Sequence, residues 1–155
     1  MGDIVTKKLV LAAVFLAAAA HQPGWAAGKS KADCYSQKAI EAEEAIRFMT
    51  DIMVSSSACQ NTAAYADFRV HNRDAILEYQ KALIAHFHGK DGFDRWNTSL
   101  ANTAAQKQGA MPAVQFCEQA KTALQQAGAL TPATFRAYAV QQAIKEGPQF
   151  NKCGK

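Results

Sequence analysis

Long apolar runs, clustered charge and catalytic signatures are all scarce in this chain, and each scarcity removes a class of function. The most extended uncharged apolar run, Leu9 to Ala20, has 12 residues, where a membrane-spanning helix needs roughly 20. Charged residues make up only 19% of the 155, with 17 Lys and Arg against 13 Asp and Glu. The surplus of +4 is spread along the chain. Nucleic-acid binders concentrate Lys and Arg, so no nucleic-acid partner is expected.

The familiar catalytic spacings are missing. The chain has no G-x-S-x-G elbow, no H-E-x-x-H zinc motif, no phosphate-cradling loop and no dinucleotide fingerprint. It has no C-x-x-C, which excludes a thioredoxin-type redox site, and no C-x-x-C-H for covalent haem. E-x-x-H is absent too, which removes the di-iron bundle motif. No cofactor is implied. Alternation of apolar and polar residues at period two is lacking as well, so strands are not expected.

Apolar residues make up 49%, enough for a packed core rather than a disordered chain. The amino-terminal segment is set apart from that core. Lys7 and Lys8 precede the apolar run, and Pro23 follows it. Gly24-Trp25-Ala26 then places small residues at the two positions a signal peptidase reads. Residues 1–26 are expected to be a secretory signal peptide, with cleavage after Ala20 as the alternative. Residues 27–155 are expected to form one helical domain, periplasmic or secreted and without a membrane span. Export explains the four cysteines, all in the mature part: Cys34, Cys59, Cys117 and Cys153. An even number in an oxidising compartment points to two disulfides.

The rest reads as helix. Tyr35, Ala39, Ala42, Ile46, Met49 and Met53 recur at spacings of four and three, a bundle seam within a helix from about residue 32 to 55. Glu43 and Arg47 form an i,i+4 pair on it. A second helix is expected over 61–88, where Tyr65, Phe68, Ile76, Tyr79, Leu83 and Phe87 form one apolar line. Val70, Leu77 and Ile84 form another, and two lines predict neighbours on both sides. Three further helices are expected: about 93–107, from Pro112 to Gly128, and from Thr131-Pro132 to Gly147. The fold class is therefore all-α, a disulfide-linked bundle of about five helices with the second at its centre.

Helix order constrains the disulfides. The first helix separates Cys34 from Cys59 by far more than the roughly 7 Å a disulfide spans. An up-and-down course brings Cys117 back to the end that holds Cys59. Cys34 is left for Cys153, with the carboxy-terminal tail running back extended from a helix that finishes at the upper end.

Polar residues interrupt the apolar lines of the second helix. Arg69, Asn72 and Arg73, with His86 further on, make a candidate pocket for a carboxylate or phosphate. A purely structural account is that the arginine stems lie along apolar surface and Asn72 bonds a neighbouring helix. Asp67, His71, His86, His88, Met49 and Met53 form a candidate copper or zinc set. Their bland account is a solvated face plus methionine core filler. The function expected from all this is a non-enzymatic binding or accessory module for an envelope protein or small ligand, in the manner of a chaperone, inhibitor or subunit. Metal handling is the alternative, and a small enzyme ranks third.

Overall fold

A computed structural model describes residues 34–154; the expected signal peptide lies outside these described residues. Six α-helices follow in order among them: α1 (Gln37–Ala58), α2 (Thr62–His71), α3 (Arg73–His86), α4 (Lys90–Gly109), α5 (Ala113–Ala129) and α6 (Pro132–Glu146). A 3-10 turn, Gly147–Gln149, follows α6. The chain is an all-α bundle. Among the described residues, extended pairing is limited to one isolated bridge between Tyr35 and Lys152.

The helix starts follow local chemistry. Ser36 caps α1, its hydroxyl accepting from the Ala39 N–H. Thr131 and Thr134 form a reciprocal capping box at α6, with Pro132 in the first turn. The link between α3 and α4 uses two left-handed residues, His88 at φ 57° and Gly89 at φ 131°. It is so tight that a Cβ on Gly92 would sit 2.2 Å from the Phe87 carbonyl oxygen.

The central helix is α1, not the helix expected over 61–88. Every other α-helix packs against it. Ala39, Ile40, Ala42, Ala45, Ile46, Met49 and Ile52 are buried around most of its circumference. Its alanines let neighbouring backbones approach closely. The 61–88 segment is itself interrupted. Asn72 ends α2 and precedes α3, at φ −107° and ψ 14°, which raises the helix count to six. Of its two apolar lines one is covered, and of the other only Ile84 packs against the core. Phe68, Ile76, Tyr79 and Leu83 are buried, while Val70 and Leu77 are exposed.

Taking the Tyr35 end of α1 as the lower end, α1 rises, α2 and α3 descend, and α4 rises. Helices α5 and α6 then both descend. The Cys59–Cys117 disulfide ties the top of α5 to the top of α1. Phe135 and Tyr138 of α6 lie beside Phe48 midway down, and Phe150 lies beside Tyr35 at the bottom. The last helix therefore finishes low, not high as expected from the sequence. Cys153 meets Cys34, with their Cα atoms 4.6 Å apart, and no long extended return is needed. Backbone bonds from Tyr35 N–H to the Asn151 carbonyl and from Cys153 N–H to the Tyr35 carbonyl close the lower end.

At mid-height the core is aromatic. The fully buried Phe68 and Phe135 rings meet edge to face at 4.9 Å, and Tyr79 meets Phe135 in the same way at 5.8 Å. Such pairs add about 0.5–1.5 kcal/mol each beyond their buried area. This cluster joins α2, α3 and α6 at the level where both descending arms are broken.

Candidate functional site

Above the α3–α4 turn, α1, the α2–α3 arm and α4 together bound a cleft, at whose base Met49 and Thr50 are buried and Met53 is half-buried. The result is a groove of about 640 Å³. Its floor is Met49, Thr50 and Met53 of α1, one wall is α2–α3 from Tyr65 to Gln80, and the other is Asn97 and Ala101 of α4. Arg69 and Arg73 line it, and no Asp or Glu does. The two share this face although the break at Asn72 falls between them. The Arg69 guanidinium lies over the Tyr65 ring, 5.5 Å from its centroid, a contact worth about 0.5–1 kcal/mol at an exposed site. Arg73 approaches Asp74 at 3.8 Å, with both side chains largely in water, so that pair holds the guanidinium weakly.

The expected four-residue pocket is not assembled. Arg69 and Arg73 share the groove, but Asn72 and His86 lie elsewhere. Asn72 is fully buried. Its Nδ2 donates to the Phe68 carbonyl and to the Leu130 carbonyl, both at 2.9 Å. It therefore faces the α5–α6 junction instead of the groove. At the helix break the amide meets two backbone acceptors. His86 sits at the lower end, its ring 4.1 Å from that of Tyr35.

The candidate metal residues are scattered too. Met49 and Met53 belong to the groove. Asp67 and His71 are exposed on α2, His86 is at the lower end, and His88 is exposed in the α3–α4 turn. Among the described residues, no group of three or more His, Cys, Asp or Glu is placed to hold a metal ion.

Two polar clusters stand apart from the expected site residues, although the Glu43–Arg47 pair in the first was expected from its spacing. Glu43 is buried on α1 and paired with Arg47, whose Nε donates to Oε1 at 3.1 Å. The Tyr35 hydroxyl lies against this carboxylate. Burial, then the Glu43 charge and hydrogen bond, push its pKa up to about 12. The signal was present, because Glu43 falls between Ala39 and Ile46 on the seam of the first helix. The second cluster joins Glu78 to Arg136 at 2.7 Å and to Lys38 at 3.7 Å. Arg136 holds the Glu78 carboxyl below its usual range. Nothing local announces a contact between residues 58 positions apart.

A second concavity of about 520 Å³ lies at the lower end, bounded by the Cys34–Cys153 disulfide, Lys38, Lys81, Glu78 and His86. It mixes both signs of charge, and Glu78 already pairs its Lys38. The groove beside α1 is larger and carries one sign, so it is the better candidate. No family model, no curated protein and no solved structure matches the chain.

Proposed function

We propose that the protein is an exported, non-enzymatic binding module that holds an anionic, partly apolar ligand or partner segment in the groove between α1, α2–α3 and α4. One observation carries this reading. The groove combines a methionine floor and aliphatic lips with two guanidinium groups, and no carboxylate lines it. A cleft of that make-up attracts apolar surface and negative charge together. Export is supported by the two intramolecular disulfides, which persist in oxidising compartments. The periplasm or cell exterior is the proposed location.

The reading is tested with an anilinonaphthalene sulfonate dye, a small aromatic anion that brightens in apolar surroundings. The dye is expected to bind, and Ala101→Trp, which fills the groove from α4, is expected to abolish the signal. Val140→Trp, on the exposed face of α6, is expected to leave it intact. Equal loss in both variants, or in neither, would remove the groove as the binding surface.

A further inference from the structure

The shape of the groove says what kind of occupant it suits. Its α2–α3 wall runs from Tyr65 to Gln80, roughly 20 Å at the helical rise. A site for a small molecule encloses about 70–90% of its ligand. This groove does not enclose. Val70 and Leu77 on its lip remain 74% and 49% exposed, so an occupant keeps one long face in water. An amphipathic helix is bound in that way, its apolar stripe laid into a groove and its polar face wet.

The lip also has helical register. Val70, Arg73 and Leu77 follow at intervals of three and four, the spacing of a coiled-coil seam, and Arg69 lies one turn before Arg73. The break at Asn72 leaves these side chains on one face, since all of them line the groove. Charge selects the partner's sign. The lining holds two guanidiniums and no carboxylate. The present contacts of both arginines, Tyr65 for Arg69 and an exposed Asp74 for Arg73, are weak enough to exchange.

We propose that the groove docks an acidic amphipathic helix of a partner protein. Its apolar stripe lies on Met53, Val70 and Leu77, and its Asp or Glu residues face Arg69 and Arg73. This rests on the groove being the binding surface, as proposed above, and adds the partner's class.

The test uses isotope-labelled, disulfide-bonded protein and three probes: an amphipathic Leu/Glu peptide of about 15 residues, its Leu/Lys counterpart, and dodecanoate. The length matches the groove wall at the helical rise. The Leu/Glu peptide is expected to bind about tenfold tighter than the Leu/Lys peptide at low salt. Amide shifts should centre on Val70, Arg73, Leu77 and Ala101. Arg69→Glu with Arg73→Glu should invert the preference, and both sites are exposed enough for the fold to survive. Equal binding of the two peptides, or shifts centred on Val140 and Ile144 of α6, would overturn the proposal. Dodecanoate binding in the groove with neither peptide bound would overturn the helix partner and leave the groove reading standing. If none of the three probes binds, both fail.

Discussion

Replacing Asn72 by Ala tests the feature that most shapes this bundle. The side chain is fully buried where α2 meets α3, and its amide nitrogen donates to Phe68 within its own arm and to Leu130 of the other. Leu130 is the residue at which α5 ends, in an extended conformation at ψ 123°. One amide thus joins the breaks in both descending arms. Removing it deletes two hydrogen bonds worth about 1 kcal/mol each net, slightly more where the part-buried Leu130 carbonyl loses its donor. Against this, Oδ1 of Asn72 is buried without a protein partner, so losing the amide also relieves a desolvation cost. The net expectation is a loss of about 2–3 kcal/mol. For a domain of this size that lowers Tm by roughly 8–12 °C. Urea unfolding followed by far-ultraviolet circular dichroism measures it directly. Asn61→Ala is the control, since Asn61 is exposed and makes no side-chain cap bond; it should change stability by less than about 0.5 kcal/mol. Asn72→Asp should cost more than Ala at neutral pH, because a carboxylate would face two carbonyl oxygens. A loss from Asn72→Ala no larger than that of the control would refute the clamp and leave the double break without a cause.

Three further outcomes follow from the same geometry. Removing the Cys59–Cys117 link, which spans 58 residues of sequence, by paired Ser substitutions should cost about 4 kcal/mol in the loop-entropy model; urea unfolding that shows no loss would mean the link does not constrain the unfolded chain. Tyr35 should ionise near pH 12 rather than at its ordinary 10.0, and Glu43→Gln should bring it down, as read by tyrosinate absorbance. Its folded value lies above the unfolded one, so its contribution to stability is complete below about pH 10 and is lost as pH rises through about 12; a Tyr35 that ionises at its ordinary value would show that the hydroxyl is solvated. The Glu78 carboxyl, held low by Arg136, should titrate higher in Arg136→Gln when followed by NMR. Its contribution is present above the unfolded pKa and is lost as pH falls through the lowered value; an unmoved titration would show the pair is open in solution.

The helical class and the Thr131 cap of α6 were legible because they are local. Thr131-Pro132 announces α6 from two adjacent residues, and the seam from Ala39 to Met53 reads directly as helix, whereas Tyr35, expected within it, precedes the Ser36 cap and pairs with Lys152 in an extended bridge. The interruption at Asn72 was not legible. Asparagine costs only about 0.7 kcal/mol in a helix interior, and no Gly or Pro marks the place. The break is decided by an acceptor at Leu130, 58 positions away. The central position of α1 was hidden for a related reason. Alanine adds little apolar area per residue, so a helix lined by Ala39, Ala42 and Ala45 looks weaker on paper than one lined by Tyr65, Phe68 and Tyr79. In the packed molecule the small residues win the centre, because they let several helices come close at once.

The four residues expected to share a pocket are only partly brought together: Arg69 and Arg73 share a groove, and Asn72 and His86 lie elsewhere. A polar residue in the middle of an apolar stripe has two explanations that demand the same thing, a partner for a desolvated group. Arg69 and Asn72 satisfied that description equally well in the sequence. What separates them is the identity of the partner. Asn72 has backbone carbonyls of its own chain at 2.9 Å on two sides, so its hydrogen bonds are spent inside the fold and it acts as a clamp. Arg69 and Arg73 reach the groove, where no carboxylate of the chain lines the opposite wall. Their stems cover apolar surface while their heads stay available. A guanidinium pair lining an apolar cleft that no carboxylate lines is therefore the feature on which the proposed binding role rests.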